Sequence, residues 1–272
     1  MRQDFFKDKV ALITGSTLGI GKTLAFTLAR AGARVVINGR NKERLDRVEQ
    51  EMLEEGLSVL AVIGDVTNPD DCEQLIKASI QKFQRIDFLL LMAGLSMNGR
   101  IVELQPVVFK NLMETNYLGS VYPLLKALPY LRASMGSVVF ASSVAGMIGF
   151  PRFSAYSSSK MSLTGLAESL HCELSGEGMH VGIIYISFVQ NEPEKRIMAP
   201  DGSLVEKKEM DKSMKYDSHD KVVGKIIDQL RKRKFSCNYS IYGKGTRFMK
   251  FFFPSVFLSL VKRNYQKSLM IK

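Results

Sequence analysis

Lys9-Val10-Ala11-Leu12-Ile13 is an apolar run of strand length that passes directly into Thr14-Gly15-Ser16-Thr17-Leu18-Gly19-Ile20-Gly21. Lys22 to Ala29 follows with helical periodicity, and Gly32 closes it. Strand, glycine turn and helix in that order open a βαβ unit. The glycines have separate tasks: Gly15 allows the tight turn, Gly19 lets backbone approach a phosphate, and Gly21 lets helix and strand pack closely. The helix N-terminus behind them presents N–H groups to an anion. The spacing is G-x-x-x-G-x-G rather than G-x-G-x-x-G, so the glycines alone are a weak sign of a dinucleotide. Their place after a first strand gives them weight.

Working outward, apolar runs of strand length alternate with longer periodic segments. The strand candidates are Val10–Thr14, Arg34–Asn38, Ser58–Ile63, Phe88–Met92, Ser137–Ala141, Val181–Ile186 and Tyr239–Tyr242. Helices are expected over Asn41–Glu55, Pro69–Phe83, Pro106–Arg132 and Tyr156–Ser175. That alternation predicts an α/β fold, a single doubly wound parallel-sheet Rossmann domain with a basic amphipathic C-terminal extension. A chain of 272 residues, 46% apolar, is long enough for one large core. The division expected is residues 1–245 for the domain and 246–272 for the extension. Ligands of such sheets lie beyond the carboxyl ends of the strands, where Gly15, Asp65, Gly94, Ser143 and Ser187 all fall.

A second stretch supplies the chemistry. Ser142-Ser143-Val144-Ala145-Gly146 ends an apolar run, and after a short loop with Gly149 and Pro151 comes Tyr156-Ser157-Ser158-Ser159-Lys160. Four residues is about one helical turn, so Tyr156 and Lys160 share a face. An ammonium beside a phenol favours the phenolate, which makes the tyrosine a proton donor and acceptor near neutral pH. Ser143 would come from the end of a neighbouring strand and hold a carbonyl oxygen beside the phenol. A lone Y-x-x-x-K reads equally as a surface helix turn. The glycine turn at the N-terminus decides between the two readings, because it offers a place for a hydride carrier.

Taken together these motifs resemble the short-chain dehydrogenase/reductase family over roughly Lys9 to Asn191. The family's T-G-x-x-x-G-I-G stands as Thr14 to Gly21, its Asp-Val after the third strand as Asp65-Val66, and its helical Asn as Asn116. The resemblance implies a catalytic tetrad of Asn116, Ser143, Tyr156 and Lys160, with Asn116 holding a water in the proton relay. It also implies cofactor contacts from Gly15, Ser16, Thr17, Leu18, Gly19, Ile20, Gly21, Asp65, Val66, Ala93 and Gly94, and from Tyr156, Lys160 and the backbone of Val189. Hydride from the cofactor would reach a ketone carbon while Tyr156 protonates the oxygen and Lys160 binds the nicotinamide ribose. Homodimers or homotetramers are common in the family. Two motifs depart from it: the usual N-N-A-G is Leu91-Met92-Ala93-Gly94, and the Pro-Gly and Thr after the sixth strand are Ile186-Ser187 and Asn191.

The end of the second strand reads Ile37-Asn38-Gly39-Arg40-Asn41, without a carboxylate to hold ribose hydroxyls. Arg40 can stack on adenine and pair with a 2′-phosphate, with Asn41 beside it and Arg44 one turn on, so NADP(H) is the expected cofactor. The three cysteines and three histidines lack metal-ligand spacing, and no metal is expected. Unpaired thiols and the absence of a visible N-terminal signal or spanning segment predict a cytoplasmic protein.

Charge is unevenly placed. Lys221 to Lys272 holds thirteen Lys/Arg against one acid, Asp228, while the rest of the chain nets −1. Phe248, Phe251, Phe252, Phe253, Phe257 and Leu260 are interleaved with those bases. A helix from Pro254 would place Val256, Phe257, Leu260 and Val261 on one face, too short a run to span a bilayer. Peripheral contact with an anionic membrane is the leading expectation, ahead of packing on the domain itself; no nucleic-acid motif accompanies the charge. Residues 191–220 are polar and are expected to form a mobile lid over substrate. The tail resembles the branch that reduces lipid and steroid ketones, which implies a small lipophilic ketone or alcohol, sphingoid-base or steroid-like. A soluble 3-oxoacyl-carrier reductase and a catalytically idle NADPH-binding scaffold are the alternatives.

Overall fold

Alternating burial along the strands sets the architecture. In β1 (Val10–Thr14), Val10 and Leu12 face one layer of helices while Ala11 and Ile13 face the other. In the computed structural model, which describes residues 5–190, 192–206, 216–237 and 241–270, seven parallel strands stand in the order β3-β2-β1-β4-β5-β6-β9. The others are β2 (Arg34–Gly39), β3 (Val59–Ile63), β4 (Phe88–Leu91), β5 (Ser137–Ser143), β6 (His180–Ile186) and β9 (Ser236–Cys237).

Helices α1 (Gly19–Arg30), α2 (Lys42–Glu54) and α7 (His219–Lys232) cover one face; α3 (Pro69–Phe83), α5 (Gly119–Ala133) and α6 (Ser154–Leu174) cover the other. The sheet is thus the middle of three layers, and its strands are apolar on both sides, as a covered parallel sheet requires. Side chains fix where helices start. Asn41 accepts the Arg44 amide at 2.8 Å to cap α2, and Asn68 caps α3 ahead of Pro69. At the amino ends of β1 and β4, buried Asp87 accepts from the Val10 amide at 2.9 Å and from Arg85 and Lys9. A charge this buried persists because cations and an amide surround it.

The expected doubly wound sheet is present, with departures that have local causes. The segment expected as one helix from Pro106 is α4 (Pro106–Met113), a π-turn over Glu114–Leu118 and then α5. The insertion sits at Asn116, whose side chain is committed outside the helix, and π-turns of this kind cluster at functional sites. The seventh strand is Ser236–Cys237, not Tyr239–Tyr242. Arg233 turns left-handed (φ 47°) at the end of α7, so the chain returns at once and Ile183 donates to the Phe235 carbonyl at 2.7 Å. Tyr242 lies in α8 (Ile241–Phe252), and Tyr239 is outside the described residues.

The expected lid is not featureless. β7 (Arg196–Met198) and β8 (Leu204–Glu206) form an antiparallel hairpin, and Met198 bridges to Met97 beside the site. Residues 207–215 and Asn191 lie outside the described residues. The C-terminal helices are α8 and α9 (Pro254–Met270). Phe257 and Val261 pack on Val144, Ile148 and Phe150. Val256 and Leu260, expected on the same apolar face, are exposed, because the helix meets the domain along a stripe one residue wide. No described helix is long and apolar enough to cross a membrane.

Candidate active site

Ser143 is the last residue of β5 and caps the short turn that follows, its Oγ accepting from the Ala145 amide at 3.2 Å. The chain loops through Phe150 and re-enters at α6, which carries Tyr156 and Lys160 one turn apart. The Ser143 hydroxyl stands near enough to the Tyr156 phenol to favour its charged form. Lys160 is buried, and its Nζ donates to the Ala141 carbonyl at 2.7 Å while Ser142 Oγ donates to the Lys160 carbonyl at 3.1 Å. Strand β5 and helix α6 are thereby fastened together beside Ser143 and Tyr156.

Burial, with Lys195 adding like-charge repulsion, pushes the Lys160 ammonium down to about 7. Burial also holds the Tyr156 phenol above its ordinary value, opposed by the Ser143 hydroxyl. The phenol thus stands above its ordinary value and not below it as expected, because burial dominates and the Lys160 nitrogen is turned to Ala141.

Asn116, fully buried, anchors the neighbouring turn. Its amide donates to the Leu95 carbonyl at 2.9 Å and to Ser159 Oγ at 2.8 Å, and its Oδ1 accepts from the Leu95 amide at 2.7 Å. A Cβ placed on Gly94 would lie 3.2 Å from both Asn116 Oδ1 and Lys160 Nζ, so turn, asparagine and lysine converge on one point. Thr14 completes the brace: its Oγ1 accepts from the Met92 and Ala93 amides at 3.1 and 3.3 Å. These contacts fix the altered Leu91-Met92-Ala93-Gly94 turn without the family's asparagines. Thr14 and Ser159 were not singled out from sequence, although Thr14 opens the glycine motif and so carried a signal.

The glycine turn fits a dinucleotide. Gly15 has φ of 61°, and a Cβ there would lie 2.7 Å from Ala93 Cα; one on Gly21 would lie 2.3 Å from the Gly15 carbonyl oxygen. Both positions exclude a side chain. Leu18 precedes α1 without a side-chain cap, and the first turn holds no acidic residue, so its N–H groups answer to an incoming anion. Ser16 is a buried strut, donating to the Ile13 carbonyl and accepting from the Asn38 amide at 2.8 Å each. Thr17 packs on Gly39, and Ile20 against the core.

At the adenosine end, Asn38 is turned inward to the Val62 and Gly64 carbonyls, and Arg40 stands largely exposed with Nη1 3.4 Å from Asp65. Burial pulls the Asp65 carboxyl upward, but the Thr67 amide and hydroxyl and Arg40 hold it below its ordinary value. Asn41 serves as the α2 cap, which takes its side-chain oxygen away from a cofactor role. Val66 is buried against Gly119. Past β6, Phe188 and Gln190 pair with Asp217, which turns the backbone N–H and C=O of Val189 to the opposite side.

The substrate side is apolar. Met97, Val108, Leu112, Ala155 and Met198 form a buried cluster against Tyr156. A recess of about 360 Å³ is lined by Ile101, Val102, Phe150, Arg100, Arg152 and Tyr265 of α9. The described residues contain no group of three or more His, Cys, Asp or Glu placed to hold a metal.

Comparison with known proteins agrees with this fold. Residues 9–201 match the family model described as short chain dehydrogenase. The chain is 35% identical over 205 residues to 11-beta-hydroxysteroid dehydrogenase 1A of Arabidopsis thaliana, covering 74% of this chain and 58% of that protein. It is 36% identical over 180 residues to 3-ketodihydrosphingosine reductase of Bos taurus, covering 64% and 54%. The chain thus spans just over half the length of these relatives. In fold it is similar to a short chain dehydrogenase/reductase from Burkholderia phymatum solved in complex with NAD, with TM-score 0.74 and 20% identity over 85% of this chain and 88% of that one.

Proposed function

This chain belongs to the short chain dehydrogenase family, a family of oxidoreductases that use a nicotinamide cofactor, and on that premise we propose that it interconverts a lipophilic ketone and its secondary alcohol with NADP(H) at a membrane surface. The observation that carries the reaction is the meeting of Ser143 at the end of β5 with Tyr156 and buried Lys160 on α6, the lysine tied to the strand through Ala141.

A nicotinamide, when bound, would supply hydride to the carbonyl carbon. As charge develops on the oxygen, Tyr156 gives up its phenolic proton and Ser143 holds the same atom by a hydrogen bond. Lys160, part protonated near pH 7, stabilises the phenolate left behind. Asn116 acts first by position, holding Leu95 and Ser159. Its backbone carbonyl accepts from the Ser120 hydroxyl and is the atom proposed to hold the relay water.

Support for NADP(H) is the end of β2, where Arg40 stands in place of a carboxylate with Arg44 one turn on. Support for a lipophilic substrate is the apolar cluster at Tyr156 and the names of the relatives, steroid and sphingoid-base enzymes. Support for the membrane is an exposed row on α8, where Phe251 is 77% accessible and Phe248 and Phe252 over half, beside Arg247 and Lys250. Tyr265 of α9 lines a recess that Ser154, at the start of α6, also lines. The altered Leu91-Met92 turn and the missing Pro-Gly at Ile186-Ser187 would favour an idle scaffold, and the Thr14 brace speaks against the first of these.

The test is consumption of NADPH, with NADH in parallel, against sphingoid-type ketones, keto-steroids and a 3-oxoacyl thioester, each with and without anionic vesicles. Turnover of a lipophilic ketone, faster with vesicles and with NADPH preferred, is the expected result. Turnover of the thioester alone would move the assignment to the soluble carrier reductase, and dinucleotide binding without turnover of any ketone would move it to the scaffold.

A further inference from the structure

After β6 the chain folds back over the carboxyl ends of the strands. Asp217 donates to the Phe188 carbonyl at 2.9 Å and accepts from the Gln190 amide at 3.0 Å, tying this return to the start of α7. His219 Nε2 lies 3.2 Å from the Gln190 carbonyl and its Nδ1 3.3 Å from the Glu192 carboxylate. Glu192 is thereby laid on the first turn of α1: a Cβ on Gly19 would lie 3.4 Å from Glu192 Cγ and 3.7 Å from His219 Nε2. Two residues on, Glu194 reaches the start of α2. Its Oε2 is 3.0 Å from both Nε and Nη2 of Arg44 and 3.8 Å from Nη2 of Arg47.

One short segment therefore carries two carboxylates to the two places in the cleft that attract anions. The first turn of α1, where no side chain caps the helix, favours negative charge. Arg44 and Arg47 flank the end of β2, where the ribose phosphate of an adenosine would be read, and a guanidinium takes a carboxylate or a phosphate by the same fork.

We propose that Glu192 and Glu194 are specificity-determining residues, internal anions that hold the diphosphate and ribose-phosphate subsites until a dinucleotide displaces them. The Glu194 half rests on the NADP(H) reading above; the Glu192 half needs only a nicotinamide dinucleotide. A half-exposed carboxylate–guanidinium pair is weak, whereas a phosphate monoester brings about −1.5 to −2 charges and three acceptor oxygens. A dinucleotide with a 2′-phosphate therefore wins Arg44 from Glu194. One with a bare ribose hydroxyl offers Arg44 no charge and leaves Glu194 paired. The segment thus lowers affinity for the dinucleotide that carries a 2′-phosphate and narrows the margin between the two cofactors.

The experiment is titration of the full chain with NADPH and with NADH, in wild type, Glu194→Gln, Glu192→Gln and the double variant. Glu194→Gln is expected to tighten NADPH by about two- to fivefold, the strength of an exposed pair, and to leave NADH unchanged. Glu192→Gln is expected to tighten both. Weaker binding in either variant would mean that the segment latches over the cofactor, and unchanged binding would mean a surface ion pair; either overturns the proposal. If wild type prefers NADH and Arg40→Ala leaves NADPH affinity unaltered, the NADP(H) reading has failed, and the Glu192→Gln titration with NADH still decides the remaining half. If wild type binds neither dinucleotide, binding gained in the double variant supports the proposal and its absence contradicts it.

Discussion

Nζ of Lys160 lies 2.7 Å from the carbonyl oxygen of Ala141, two residues before Ser143 on the same strand. The lysine is therefore held by the strand that presents the serine, and by the helix that presents Tyr156. One buried lysine thus joins the two elements that present the hydroxyls. Its burial also makes it titrate near neutrality, at about 7 against 10.5 for an ordinary lysine.

That shift has a signed consequence for stability. Between about 7 and 10.5 the unfolded chain keeps a proton that the folded chain has released, so this group's contribution rises with pH across the interval and is lowest below it. Melting temperatures followed from pH 7 towards 10.5 should climb in wild type relative to Lys160→Met, in which the group is gone. Parallel curves would show that the ammonium stays charged when folded.

Thr14→Val keeps the shape of the side chain and removes the acceptor for the Met92 and Ala93 amides. Orphaning such donors costs about 1–3 kcal/mol. Denaturant unfolding should show a loss of that size, with Thr14→Ser close to wild type, and the Michaelis constant for the dinucleotide should rise because Gly15 and Ala93 touch.

Arg40→Ala should separate the two nicotinamides. Charge-assisted hydrogen bonds are worth about 1.5–3 kcal/mol, or roughly ten- to a hundredfold. The Michaelis constant for NADPH is expected to rise by that factor while that for NADH stays put. Equal effects on both would place Arg40 at the adenine rather than at a phosphate.

Much of this was legible in the chain. Strands β1 to β6 are apolar on both faces, so their runs stand out without any alternation to decipher, and Tyr156 and Lys160 are related by a single helical turn. Contacts that join distant segments were not legible. Arg44 and Glu194 are 150 residues apart, and nothing in either neighbourhood names the other. The final strand was misplaced because two residues, Ser236 and Cys237, are too few to leave a pattern, and the π-turn at Asn116 leaves the helical periodicity of its surroundings intact. The phenol of Tyr156 was misjudged for a related reason: sequence shows which charge stands nearby but not how far burial outweighs it.

The C-terminal helices make their own prediction. Flotation with anionic vesicles should carry the wild-type chain, with less carried as salt rises or as the vesicles are made neutral. Phe251→Asp with Phe252→Asp, both at exposed positions, should abolish flotation and leave the melting temperature near wild type. Retained flotation would assign this face to another use.

The most direct measurement is the single-turnover rate of ketone reduction with NADPH already bound, in wild type and in Tyr156→Phe. The variant keeps the ring and its packing and lacks only the hydroxyl. A loss of about two to four orders of magnitude in rate, with NADPH affinity unchanged, is the result predicted for a tyrosine that donates the proton. A Tyr156→Phe enzyme that binds NADPH and reduces the ketone at the wild-type rate would contradict the account.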